Sequence, residues 1–301
     1  MRTISLPPRM EFSDESVRVA HEEFDRCFAI AQRRRVPESA IFGLLSALKL
    51  LMMEIPRDHR LKTNDRISLC VSEAGARSKM RGVHYYVFSS PMEVVCVECE
   101  GESLYVTDPV TTCMQMSGYC PREEAAALFD TLVRRSRQDK EENEMALGDF
   151  LEESGGFKGK TTARWAFAHH RMNTDSSMES RLRLILTGAR LPEPVTNPVF
   201  TDPESGKVWI PDMVYLELGM ILEYQGLAWH SSPERLDNDS HKSLRFQRFG
   251  CEVIPVTNET LSIPWRRDEF LKSLKAIRRT RLRFSAKKKE SLRKLFTVQN
   301  E

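Results

Sequence analysis

The segment Val208-Trp-Ile-Pro-Asp212-Met-Val-Tyr-Leu-Glu217-Leu-Gly219-Met-Ile-Leu-Glu223-Tyr-Gln-Gly226 restricts the fold more than any other part of the chain. Two apolar runs rich in Val, Ile, Tyr and Trp flank a break at Glu217-Leu218-Gly219, and each run holds one carboxylate. Such runs read as β-strands and the break as a tight turn, so the segment is expected to be a hairpin. A turn centred between Glu217 and Leu218 sets Asp212 directly opposite Glu223. Cross-strand partners have Cβ atoms about 4.5–5.5 Å apart. Two carboxylates at that distance repel, and partial burial adds to the cost. A divalent cation between them resolves the conflict, and an all-oxygen donor set suits Mg²⁺ or Mn²⁺. The alternative is a pair of solvent-facing acids on an edge hairpin.

Upstream, Asp175-Ser-Ser-Met-Glu179 precedes Leu182, Ile185 and Leu186, which fall at helical spacing. Asp175 or Ser176 can cap this helix, with Glu179 in its first turn, where a carboxylate suits the helix dipole. Downstream, Gly226-Leu-Ala-Trp229-His230 leaves the second strand. Asp239-Ser-His-Lys242 then reads as a helix and Gly250 to Thr257 as a further apolar strand. The order is helix, strand, strand, helix, strand.

From about Ser176 to Thr257 this pattern resembles the PD-(D/E)XK nuclease superfamily, and within it the very-short-patch-repair-like endonuclease domain. The matching residues are Glu179, Pro211-Asp212, Glu223-Tyr-Gln-Gly226, Trp229-His230, Asp239 with Lys242, and Gly250. The resemblance implies a restriction-endonuclease-like core, a mixed sheet whose antiparallel hairpin carries the site between flanking helices. It implies Mg²⁺-dependent hydrolysis of DNA, with Asp212 and Glu223 as metal ligands and Glu179 as a nearby carboxylate. The superfamily's third motif ends in Lys, and here that position is Gln225, which can only hydrogen-bond. The resemblance to the repair-like branch implies that a His after the glycine, here His230, takes over proton transfer, and an ordinary His pKa near 6.5 suits a general base; Lys242 reaching in from the helix is the alternative. The runner-up is a non-catalytic DNA-binding or antitoxin-like regulator on a retired nuclease core. A second copy of the chain, or a toxin or other protein, is a further candidate partner.

The net charge of +2 conceals an asymmetry. Residues 266–294 hold 13 Lys or Arg against three acids, a local net of +10. Arg278, Arg279, Arg281 and Arg283, followed by Lys287, Lys288 and Lys289, form a basic strip read as a nucleic-acid contact, with a solvated helix or tail as the plain alternative.

Hydrophobic residues make up 41% of the 301, enough for two modest cores. No apolar run approaches the ~18–20 residues of a membrane helix, and no signal-peptide core is evident. Seven irregularly spaced cysteines fit reduced thiols in a cytoplasm. Cys96-Val-Glu-Cys99 has zinc-site spacing, but its surroundings read as a strand that points the two thiols to opposite faces.

Residues 1–150 read as an α+β domain without clear chemistry. A helix capped from Ser13-Asp-Glu-Ser16 runs to Gln32, and Ser39 to Met53 reads as a second. Strands follow at Ile67 to Val71, Val83 to Phe88, Val94 to Cys99 and Leu104 to Val106, then a helix from Pro121 to Arg135. Arg77, Lys79, Arg81 and His84 form a small basic loop able to touch phosphate, although a surface loop is the simpler reading. The layout weakly resembles the middle region of proteins with an abortive-infection-type antitoxin N-terminus. Residues 151–175 read as a connecting loop and helix, 176–264 as the nuclease-like domain and 265–301 as a basic helix or tail. The whole is expected to be α/β.

Overall fold

In the computed structural model the described residues are 1–8, 14–33, 40–61, 66–226 and 233–298, the last including 233–240 in backbone only. Helices and mixed sheets alternate in both of the units into which the chain divides, Met1–Arg171 and Met172–Glu301, giving an α/β protein. Among the described residues no helix is long and apolar enough to cross a membrane.

The first unit contains β1 (Thr3–Ser5), α1 (Glu15–Ala31), β2 (Ile41–Phe42), α2 (Leu44–Leu50), β3 (Ile67–Val71), β4 (Val83–Val87), β5 (Val94–Cys99), β6 (Glu102–Thr107), α3 (Pro109–Met116), α4 (Arg122–Leu132), α5 (Lys140–Glu153) and α6 (Lys160–His169). Its sheet has the order β1-β5-β6-β2-β3-β4, with β4 at one edge. Asp14 caps α1 by accepting from the Ser16 N–H at 2.8 Å. Ala20, Phe24, Cys27 and Ile30 then lie on one buried stripe against Leu69, Val97 and Val106 of the sheet.

Two expectations change here. The apolar run from Ser39 to Met53 is not one helix, because Ile41 and Phe42 form a strand paired with both β3 and β6 before α2 begins. Gly43 makes the junction, where a Cβ would lie 2.4 Å from Cys70 Sγ. Residues 151–171 belong to the first unit instead of bridging two domains. Gly159, at φ +97°, brings the chain against the Gly118 backbone, an approach only glycine tolerates. All seven cysteines are buried and none forms a disulfide.

The second unit contains α7 (Ser177–Gly188), β7 (Val195–Thr196), β8 (Val199–Thr201), β9 (Val208–Trp209), β10 (Met213–Tyr215), β11 (Met220–Gln225), α8 (Pro233–Arg248), β12 (Glu252–Thr257), α9 (Asn258–Ser262), α10 (Pro264–Leu282), α11 (Ala286–Arg293) and β13 (Phe296–Thr297). The main sheet has the order β12-β11-β10-β7. β10 and β11 are an antiparallel hairpin, and β12 runs parallel to β11 after the α8 crossover. Alternation along the strands builds two cores. Met213, Tyr215, Met220 and Leu222 pack with Leu182 and Leu186 of α7 and Leu274 of α10. Val214 and Ile221, on the other face, pack with Phe246 of α8, Leu292 of α11, Phe200 and Phe296. The segment expected to be a basic helix or tail is helical, as α10 and α11, and is integral to this unit. It fills both cores and ends in a strand paired with β8.

Candidate functional site

The hairpin turn is a single 3-10 turn at Leu216–Leu218 closed by Gly219 at φ +56°. A Cβ on Gly219 would lie 2.8 Å from Leu292 Cδ2, so both conformation and space call for glycine. This turn fixes the register Tyr215↔Met220, Val214↔Ile221, Met213↔Leu222. One step further along that register, Asp212 stands opposite Glu223. Both share the face of Val214 and Ile221, the side covered by α8.

The Asp212 carboxylate accepts from the Tyr224 N–H at 2.6 Å. Lys242 of α8 spans the Glu223 carboxylate, with Nζ 2.9 Å from Oε1 and 3.0 Å from Oε2. Phe246, one turn further along α8, is fully buried and anchors the helix here. Burial, then the charges of Glu223 and Glu179, hold the Asp212 pKa up at about 8, while the Tyr224 N–H and Lys242 pull it down. Burial and like charge thus favour a proton on Asp212 while Lys242 pairs with Glu223, which lowers the charge of a crowded acidic pair.

Glu179 approaches from the first turn of α7 and is buried. Ser176 is the cap: its Oγ accepts the Glu179 N–H at 3.2 Å and donates to Glu179 Oε1 at 2.8 Å. Glu179 Oε2 accepts the Asp175 N–H at 3.0 Å and Asn197 Nδ2 at 2.8 Å. Burial raises the Glu179 pKa, opposed by these hydrogen bonds from Asp175, Asn197 and Ser176. Both Glu179 oxygens are engaged within this capping network, so Glu179 acts on Asp212 through its field.

Sequence reasoning missed Asn197. Its N–H donates to the Asp212 carbonyl at 2.9 Å, and its Nδ2 donates to Glu179 and, at 2.8 Å, to the Asn173 carbonyl. It sits at φ +47°, a conformation Asn tolerates better than most residues. Its only advance signal was an Asn before Pro198 between two short apolar runs.

Gln225 ends β11, two residues beyond Glu223 on the same face, and pairs in register with Thr257. His230 and Trp229 lie outside the described residues, as does the Asp239 side chain. Among the described residues no group of three or more His, Cys, Asp or Glu is gathered so as to hold a metal ion. Asp212 and Glu223 are a two-carboxylate, all-oxygen donor pair, which fits a hard cation completed by water or backbone oxygen.

The basic strip does not form one surface. Arg281, expected to touch nucleic acid, is buried beneath the hairpin turn. Its Nη1 donates to the Leu218 carbonyl at 2.5 Å and the Gly250 carbonyl at 3.1 Å, and Nη2 pairs with Glu252 at 3.3 Å. A guanidinium has five donors in a rigid fork, which suits it to collecting turn carbonyls. Arg278 is half-buried, and its Nε is enclosed without a hydrogen-bond partner. Arg279, Arg283, Lys287 and Lys288 are exposed, and Lys289 is partly so.

Two relatives from Mycobacterium tuberculosis, uncharacterized protein MT2308 of strain CDC 1551 / Oshkosh and uncharacterized protein Rv2248 of strain ATCC 25618 / H37Rv, are each 26% identical over 151 residues. The match covers 50% of this chain and 54% of each relative, so the chain spans about half the length of the curated relatives it matches. No family model and no solved structure matches the chain.

Proposed function

We propose that the second unit is a metal-dependent endonuclease of the PD-(D/E)XK, very-short-patch-repair-like type that hydrolyses DNA phosphodiester bonds. The observation that carries this reading is that Asp212 and Glu223 face each other one step beyond the Met213↔Leu222 pair, two part-buried carboxylates on one face of the hairpin. A fold gains nothing in stability from two half-buried carboxylates set face to face, so the arrangement is understandable as a cation site. The succession α7, β10, β11, α8, β12 around the hairpin supports the same reading.

In this proposal Asp212 and Glu223 hold Mg²⁺ or Mn²⁺. The bound ion supplies positive charge to the phosphate and lowers the pKa of water. The Asn197 N–H fixes the Asp212 backbone, and Glu179 holds Asn197 in turn. Lys242 orients Glu223 and is proposed to stand in for the superfamily's third-motif Lys. Gln225 offers a hydrogen bond to water on the same face, and His230 is the proposed general base.

One observation favours the second reading, a DNA-binding or antitoxin-like transcriptional regulator. Lys242 spans both Glu223 oxygens and so already supplies the neutralising charge that a metal would bring. Plasmid cleavage in Mg²⁺ or Mn²⁺ decides between the two. The nuclease reading expects cutting that Asp212→Asn abolishes and that His230→Ala slows by about 10²–10⁴-fold. A protein that binds DNA but cuts under neither metal, with Asp212→Asn binding equally well, is the regulator.

A further inference from the structure

The parallel strands β3 and β4 of the first unit are joined by residues 72–82, whose only helical element is a single 3-10 turn at Ala74–Ala76. A parallel connection usually carries a full helix over the sheet. Here the short crossover at the sheet edge leaves a cavity of about 630 Å³. That lies within the roughly 300–1,000 Å³ typical of small-molecule sites and is much larger than a single phosphate needs.

The lining is strongly one-sided in charge. Arg66, Arg77, Lys79 and Arg81 all border the cavity, and among the described residues no carboxylate does. Among the described residues none of the four forms an ion pair. Four like charges around one space repel each other, and an anion with several oxygens relieves that repulsion. Guanidinium groups match phosphate through paired N–H donors, and a lysine adds a point charge. A second observation is independent of charge. Tyr85, also lining the cavity, is 8% exposed, and its hydroxyl is enclosed without a satisfactory hydrogen bond. Burial raises its pKa, so the group remains an O–H donor, with Ser78 the side chain close enough to act on it. Buried hydroxyls are normally paired, so one left unmet on a residue that lines a basic cavity marks a place for a ligand atom. Met80 adds an apolar wall suited to a base or sugar.

We propose that this cavity binds a nucleoside di- or triphosphate, the phosphates against Arg66, Arg77, Lys79 and Arg81 and one polar atom of the ligand meeting the Tyr85 hydroxyl. The site lies in the first unit and does not depend on the nuclease reading of the second.

The test is calorimetric titration of the full chain with ATP, ADP and inorganic pyrophosphate, in EDTA so that no metal–nucleotide complex reaches Asp212 and Glu223. Saturable binding at one site is expected, with ATP tighter than ADP. The double variant Lys79→Ala/Arg81→Ala, at two exposed positions, is expected to weaken ATP by tenfold or more, and Tyr85→Phe by several-fold with its fold preserved by circular dichroism. Arg279→Ala/Arg283→Ala in the second unit is expected to leave nucleotide binding unchanged. Lack of saturable binding overturns the proposal, as does ATP binding that is indifferent to Lys79→Ala/Arg81→Ala or abolished by Arg279→Ala/Arg283→Ala. If only an oligonucleotide binds, and the Lys79→Ala/Arg81→Ala variant weakens it, the loop is a backbone contact and the nucleotide site is wrong.

Discussion

Replacing Asp212 by Asn is expected to stabilise the metal-free protein, and to do so only at neutral to alkaline pH. The carboxyl holds its proton to about pH 8 against an ordinary value of 3.8. Between those values the native state retains a proton that the unfolded chain has released, so wild-type stability falls as pH rises through this window. At full ionisation the difference corresponds to roughly 5–6 kcal/mol. A second route gives a smaller figure. Two unit charges about 5 Å apart, at an effective dielectric near 20, repel by about 3 kcal/mol, and Lys242 offsets part of this. Asn keeps an oxygen for the Tyr224 N–H and carries no charge. The variant is therefore expected to gain about 2–4 kcal/mol over wild type at pH 9 relative to pH 5. For a unit of this size that is about 3–5 °C in Tm per kcal/mol. Urea unfolding in EDTA from pH 5 to 9, followed by tryptophan fluorescence and circular dichroism, measures the gap, and the comparison cancels the other titrating groups. A variant less stable than wild type at pH 9, or a gap that does not change with pH, refutes the account of the pair.

Arg281→Ala is expected to cost about 3 kcal/mol, since it strips the turn carbonyls and Glu252 of their shared donor, yet to leave the salt dependence of DNA binding unchanged. Replacing Arg279, Arg283 and Lys287 together is expected to do the reverse, flattening the log–log salt slope by about 0.9 for each phosphate that is no longer neutralised, with little effect on Tm. A salt slope that responds to Arg281 and not to these three reverses the assignment. Glu179→Gln is expected to cost about 1–2 kcal/mol through the capping network and to move the midpoint of the Asp212-dependent stability change to lower pH. An unmoved midpoint shows that Glu179 does not act on Asp212.

The hairpin was legible because its period of two and its turn glycine leave one sensible register, and that register fixes which face each carboxylate takes. The α7 cap was legible for a similar reason: Ser176 and Glu179 are three apart, the spacing at which a cap oxygen meets an N–H and a glutamate can reach back. Lys242 was nameable because it follows the hairpin on a readable helix. Arg281 was not. In Arg278-Arg-Thr-Arg-Leu-Arg283 every basic residue looks alike, and only the carbonyls of a turn some 60 residues earlier pick one out for burial. Asn197 was hidden because its role depends on a backbone conformation and on two partners from separate elements. The short strand β2 was hidden because an apolar run buried from every side shows no periodicity to separate strand from helix.

The pairing of β13 with β8 joins Phe296 to Phe200, so this unit closes on itself over a long stretch of chain. Contacts of high sequence separation form slowly, because the intervening segment must first surrender its freedom. The same arrangement makes the finished hairpin hard to open piecemeal. Gly219 is held by Leu292 above it and by the Arg281 guanidinium beside it, so the turn cannot fray unless the C-terminal helices also leave. Amide protons there should exchange with solvent only through global opening. A fragment cut at residue 264 would keep both carboxylates in its sequence while discarding the clasp that sets them face to face.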